Sequence, residues 1–321
     1  MAKDPARSGD PTQDEAAARK RAFSGYILLV LGVLFWSGNA IIGRAAADAD
    51  MPPLALNFWR WAVALIVFLI FFGRATWRQR HAILANLGYL IPFCLISVVG
   101  FNCLLYLALQ ETTALQASLI QSILPVLVLV LCFVVLRTPV TGRQGWGVVF
   151  SIAGAALIVT RGDIGVLATL ELQTGDAWAL AAVFVWAIQA FVTRWRPKDI
   201  DIMPFMTALA IIGLIVMAPL YVWETAMVKP MPFTPTSVLY VLYIGIFASF
   251  LGTTMWNEGT YRAGAAQAGY FGNLYPIFSG VLAILILGED PRWFHATGAA
   301  LVIAGIWLAT ARRRTARQKS P

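Results

Sequence analysis

Apolar runs broken by short polar stretches occupy almost the whole chain, and ten of them have the length of a membrane crossing. They cover residues 26–46, 54–73, 84–109, 114–136, 144–160, 176–196, 202–223, 237–258, 266–288 and 291–311. At about 1.5 Å per helical residue, roughly 20 residues cross a hydrocarbon core about 30 Å thick. In lipid every backbone polar group needs an internal partner, so each run predicts a helix. The first run follows a polar tail with no small-residue cleavage site after it, so it reads as a retained helix rather than a signal peptide.

The pattern repeats. Sliding the chain by 150 positions pairs Trp36 with Trp186, Ala40 with Ala190 and Arg44 with Arg194, and sets Asn39 opposite Gln189. A slide of 151 pairs Gln116 with Gln267, Ala117 with Ala268, Pro125 with Pro276, Gly147 with Gly298 and Gly154 with Gly305. The longest interior gap, near 161–175, holds Gly162, Asp163, Gly165, Glu171 and Gly175 and divides the runs into five and five. Five is odd, so the second half enters the membrane from the opposite side. The expected fold is an all-α integral membrane protein, with ten transmembrane helices as two inverted five-helix repeats around a central cavity. The expected division is a cytoplasmic tail (1–22), a first repeat (23–161), an external linker (162–175), a second repeat (176–311) and a basic cytoplasmic tail (312–321). Inversion puts the turn within 106–121 and its counterpart within 257–273 at opposite faces, where one closes an outer gate and the other an inner gate.

Composition agrees with this pattern: 59% of the 321 residues are hydrophobic, 12% are charged, and the mean hydropathy is +0.73. The net charge of +8 would suit nucleic acid, but its placement does not. With ten alternating helices, only Arg44, Arg60, Arg161, Lys229 and Arg292 of the 24 Lys and Arg residues fall on the side away from the tails. That asymmetry puts both termini in the cytoplasm and excludes a nucleic-acid partner. The expected partners are a small-molecule substrate and the lipid bilayer, with the chain read as a monomer. Cys94, Cys103 and Cys132 lie within runs as apolar fillers.

Polar side chains gather in certain runs: Trp36 and Asn39 in the first, Asn102 and Tyr106 in the third, Gln116 and Gln121 in the fourth. The sixth has Trp186 and Gln189, the eighth Trp256 and Asn257, the ninth Gln267, Tyr270 and Asn273. An amide facing lipid costs several kcal/mol, so these groups face the interior or a wet cavity. Each either ties two helices together or contacts substrate. Trp and amide three residues apart share one helix face in both halves, which suits a flat or zwitterionic small molecule. Pro125 and Pro276 shape a kink or act as hinges. Arg60, amid Asn57, Phe58, Trp59 and Trp61, either snorkels to the outer headgroups or clamps a substrate carboxylate. Glu258, the only carboxylate expected within a helix, either pairs with Arg262 or carries a coupling proton. Runs five and ten, rich in Gly and Ala and poor in polar groups, read as scaffold.

His81 and His295 lie at run ends, and no run contains Lys. No metal site, cofactor, Schiff base or catalytic side chain is expected.

Leu34–Phe35–Trp36–Ser37–Gly38–Asn39, Tyr106–Leu107–Ala108–Leu109, Ala265 through Pro276, Leu287–Gly288–Glu289 and the Gly298–Gly305 helix occur in an order and spacing that resemble the drug/metabolite transporter superfamily. The resemblance covers about 23–311 and is to its ten-helix members built from two EamA-type repeats, nearest the aromatic or neutral amino-acid exporter branch. It implies a secondary transporter of the bacterial inner membrane, and not an enzyme. Such a carrier exports amino acids or related amphipathic metabolites by alternating access, through a cavity lined by runs 1, 3, 4, 6, 8 and 9. A multidrug or organic-cation extruder of the same fold and a non-transporting membrane assembly protein are the alternatives. One departure is visible: Leu287–Gly288–Glu289 of the second half reads Leu136–Arg137–Thr138 in the first.

Overall fold

The computed structural model describes residues 11–137, 141–163, 173–264, 268 and 271–310, with side chains described for those of them between 22 and 308. Ten helical spans follow one another: α1 (Pro11–Asp48), α2 (Pro53–Arg78), α3 (Leu87–Glu111), α4 (Ala114–Leu136), α5 (Gly142–Val159), α6 (Thr174–Trp195), α7 (Ile202–Met227), α8 (Pro235–Ala263), α9 (Leu274–Leu287) and α10 (Trp293–Thr310). The first eight are long and apolar enough to cross a bilayer, and α9 and α10 are shorter apolar helices. No strand occurs among the described residues.

The bundle has two ends: the tail end, where α8 finishes beside the first turns of α1's apolar part, and the far end, where α3 finishes and α6 starts. At the tail end Gly25 abuts Arg262 and Ala263. At the far end Gly175 abuts Glu111 and Thr112. Side chains such as Ile70, Phe71, Leu285 and Trp307 are largely exposed, as expected for a lipid-facing perimeter.

α5 and α10 pack closer than any larger residue would permit. A Cβ on Gly154 would lie 2.6 Å from the Gly298 carbonyl oxygen, and one on Gly305 would lie 2.5 Å from that of Gly147. Small residues in register let two backbones approach where lipid supplies no hydrophobic drive.

Two features go beyond the apolar pattern. α3 and α8 each contain a π-helical segment, Leu95–Phe101 and Ile244–Gly252, at matching places in the two halves. Such wide turns leave carbonyls without their usual partner and often mark functional sites. Asn102 Nδ2 donates to Ser97 O (2.9 Å), and Ser249 Oγ donates to Ile244 O (3.0 Å). The proline kinks also differ from expectation. α4 breaks at Ser122–Ile123, where N–H groups reach back only three residues, and Pro125 sits in the first turn after the break. α9 starts in the same way after Asn273, with Pro276 in its first turn. In a first turn the missing proline N–H has no helical partner to lose, so each proline starts a segment rather than bending a continuous helix.

Candidate functional site

Arg60 is buried inside the bundle, and its position corrects one sequence reading. It lies seven residues into α2, about 10 Å from that helix's end, and only 6% of it is exposed. A snorkelling arginine would reach headgroups; this one turns inward. Its Nε donates to Ser249 Oγ (3.0 Å). Its Nη1 donates to Tyr106 Oη (2.7 Å), Asn102 Oδ1 (2.9 Å) and, more weakly, Asn39 Oδ1 (3.4 Å). Tyr106 in turn donates to Asn39 Oδ1 at 2.6 Å.

The network joins α1, α2, α3 and the π segment of α8. The π turns place two of its members: Ser249 lies inside one and Asn102 directly follows the other. The Trp61 and Tyr106 rings add cation–π contacts, 5.4 and 5.7 Å from the guanidinium carbon. Every hydrogen-bonding partner is neutral, and no carboxylate lies within ion-pair distance of Arg60 among the described residues. A buried cation without a counter-ion is expensive, so these acceptors offset part of the lost hydration while leaving the charge uncompensated. The four bonds use Nε and Nη1; Nη2 takes no part in them.

Around this node the aromatic candidates form two stacks. Trp36 packs on Trp256 with ring centroids 5.1 Å apart. Trp186 packs on Phe101 (5.0 Å) and edge-on to Tyr275 (6.1 Å). Ser37 Oγ donates to the Tyr275 carbonyl, tying α1 to α9. Gln121 and Ser279 are buried beside the Tyr275 side chain.

The two Trp–amide pairs are not alike: Asn39 is locked in the Arg60 network, whereas Gln189 is half-buried. Asn257 donates to the carbonyl of Thr253 in its own helix, and Asn273 sits at the N-cap position of α9 with no side-chain capping bond. Glu258 pairs with Arg262 at 2.7 Å with both side chains well exposed. Gln267 and Tyr270 lie outside the described residues.

Gln116 belongs elsewhere. At the far end its Nε2 donates to Ile158 O (2.7 Å) and Asp176 Oδ2 (3.2 Å), and its Oε1 faces His295 Nε2 at 3.1 Å. It lines a cavity of about 390 Å³ with Thr113, Leu115, Arg161, Glu289, Asp290, Arg292, Phe294 and His295. Asp176 has no exposed surface and also accepts from Thr112 Oγ1 at 2.7 Å. Glu224 is 4% exposed. These two acids overturn the reading of Glu258 as the only carboxylate within a helix. Sequence offered little signal for them, because each lies near a helix end, where a charge ordinarily faces headgroups.

Two matched halves are also what sequence comparison retrieves. The profile of the EamA-like transporter family matches twice, over residues 23–160 and 173–311. The chain belongs to the EamA-like transporter family. It is 26% identical over 287 residues to the uncharacterized transporter YyaM of Bacillus subtilis, covering 89% of this chain and 93% of that one. It is 29% identical over 306 residues to the uncharacterized transporter YdeK of the same organism, covering 92% and 98%. It is also 26% identical over 290 residues to an uncharacterized transporter of Archaeoglobus fulgidus, covering 90% and 98%. A solved crystal structure superposes with a TM-score of 0.57 over 91% of this chain and 96% of the other, at 17% identity, a likeness of fold. The EamA-like transporter is therefore a multi-pass membrane protein that moves a small molecule through the bilayer.

Proposed function

We propose that this EamA-like transporter exports amino acids or related amphipathic metabolites that carry a carboxylate, by alternating access across the bacterial inner membrane with both termini cytoplasmic. The observation that carries the reading is Arg60: a buried guanidinium held by Asn39, Asn102, Tyr106 and Ser249, with no carboxylate paired to it among the described residues. A substrate carboxylate would supply the missing counter-charge, and a charge-assisted, bidentate-capable contact is the strongest polar contact such a site offers. The neighbouring Trp36–Trp256 and Trp186–Phe101 stacks suit the apolar part of an amphipathic solute. The inverted repeat supplies two related conformations for alternating access.

The organic-cation reading is disfavoured by the same residue, since a cation would meet the uncompensated charge of Arg60, and Glu258 is engaged with Arg262. The test is flux into proteoliposomes of labelled phenylalanine, tryptophan, threonine, methionine and one organic cation, with and without a proton gradient. Saturable amino-acid flux that disappears in Arg60→Gln and falls in Asn39→Ala supports the proposal. Cation flux that survives Arg60→Gln would move the assignment to drug extrusion. Gln189→Ala measures what the second Trp–amide pair contributes.

A further inference from the structure

Acidic side chains of the second repeat reach across to the first at one end of the bundle, the end away from the tails. Glu224, close to the end of α7, accepts from the backbone N–H groups of Leu54 (3.1 Å) and Ala55 (2.7 Å) in the first turn of α2. Glu289, in the α9–α10 link, accepts from those of Ala114 and Leu115 (2.8 Å each) in the first turn of α4. The first N–H groups of a helix have no intrahelical partner and lie at the positive end of its dipole, so a carboxylate is a favoured cap. Here each cap comes from the opposite repeat, and both carboxylate oxygens are used.

The pseudo-two-fold would place matching acids at the tail end, and the sequence carries none at the two corresponding positions. The repeat that pairs Gly298 with Gly147 pairs Glu289 with Thr138. α2 and α7 are each 26 residues long, and in register Glu224 falls on Ala75. At the tail end the Gln79 side chain of the first repeat accepts from the Asp201 backbone N–H at the start of α7 and donates to the Asp201 carboxylate, and Asn86 donates to Asp199. The start of α7 is thus met by a neutral amide where the start of α2 is met by a carboxylate.

We propose that Glu224 and Glu289 form a latch between repeats that holds the far end shut, and that transport requires these two carboxylates to leave the α2 and α4 N–H groups. Releasing the latch without stranding these donors requires water to replace each carboxylate on the helix starts. Space for that water already adjoins one cap: the cavity of about 390 Å³ is lined by Glu289, Thr113 and Gln116. The acid of the Leu287–Gly288–Glu289 motif occurs in one repeat only, since the first half reads Leu136–Arg137–Thr138. The latch rests on the alternating-access reading above.

The experiment uses single-cysteine reporters in protein whose native cysteines are replaced by Ala. Ser118→Cys, fully buried one turn inside the α4 cap, reports opening at the far end. Asn257→Cys reports opening at the tail end. Both are labelled with a membrane-impermeant maleimide applied to either face of vesicles. Glu289→Gln and Glu224→Gln should each raise Ser118→Cys labelling from the far side about two- to fivefold, and together more. Thr138→Glu, which supplies an acid at the tail end, should slow Asn257→Cys labelling, and it keeps the test decisive if a Gln variant fails to fold. If the reporters label but none of these substitutions changes the rates, the latch is wrong and alternating access stands. If neither reporter labels from either face in any variant, alternating access fails and the latch with it.

Discussion

The α5–α10 contact and the Arg60 network are two outcomes of one duplication. In the first, symmetry is kept. Gly147 and Gly154 correspond to Gly298 and Gly305, and the approach of Gly154 to Gly298 is mirrored by that of Gly305 to Gly147. In the second, symmetry is lost. In the register of α2 on α7, Arg60 falls on Leu209, which is 3% exposed and sits in an apolar cluster with Phe93 and Phe205. Backbone features such as the paired π segments and the paired breaks before Pro125 and Pro276 are shared, while charged side chains are not. Packing between helices constrains both halves equally, whereas a solute site needs its charge only once.

Substitutions at matched positions test that contrast. The largest effect is expected from Gly154→Leu and Gly305→Leu, which drive side chains into a facing backbone; overpacking costs about 1–3 kcal/mol or more. Both should abolish the monodisperse peak in size-exclusion chromatography, and a well-folded variant at only one of them would break the symmetry. Next, Arg60→Ala should lower flux per folded transporter by about two orders of magnitude, the scale for truncating one partner of a buried charge contact. Its counterpart Leu209→Ala should lower thermal stability by about 2–5 kcal/mol of cavity cost while flux per folded molecule is retained. Tyr106→Phe removes one bond to the guanidinium and one to Asn39, and about 1–3 kcal/mol for a charged hydrogen bond predicts a loss of roughly tenfold in flux. The smallest effect belongs to Glu258→Gln: exposed pairs contribute about 0–1 kcal/mol, so flux should stay within about twofold at every pH. A pH-dependent collapse would instead make Glu258 a coupling residue.

Trp36, Asn39, Asn102 and Tyr106 were recognisable in the sequence because amides and hydroxyls inside apolar runs have no stable place in lipid. Gln116 satisfied the same criterion yet sits at the far end beside Asp176 and His295, because one-dimensional depth does not say which neighbour a polar group meets. Arg60 misled for a related reason. Flanked by Trp59 and Trp61 in the outer part of its run, it has the local pattern of an interfacial anchor, and its partners are 21 to 189 residues away. Glu289 stood out only as part of a short motif; its role as a cap on another repeat's helix required the fold.

By itself the sequence determined the number of crossings, their alternation and the inverted duplication. Hydrocarbon thickness sets helix length and an odd repeat sets orientation, and both can be read along a single line of residues. Only the tertiary structure decided where the charges go: Arg60 inward among neutral acceptors, Glu224 and Glu289 onto foreign helix starts. The stability of a charge depends on the solvation and partners at one point in space, and those are assembled by residues far apart in the chain.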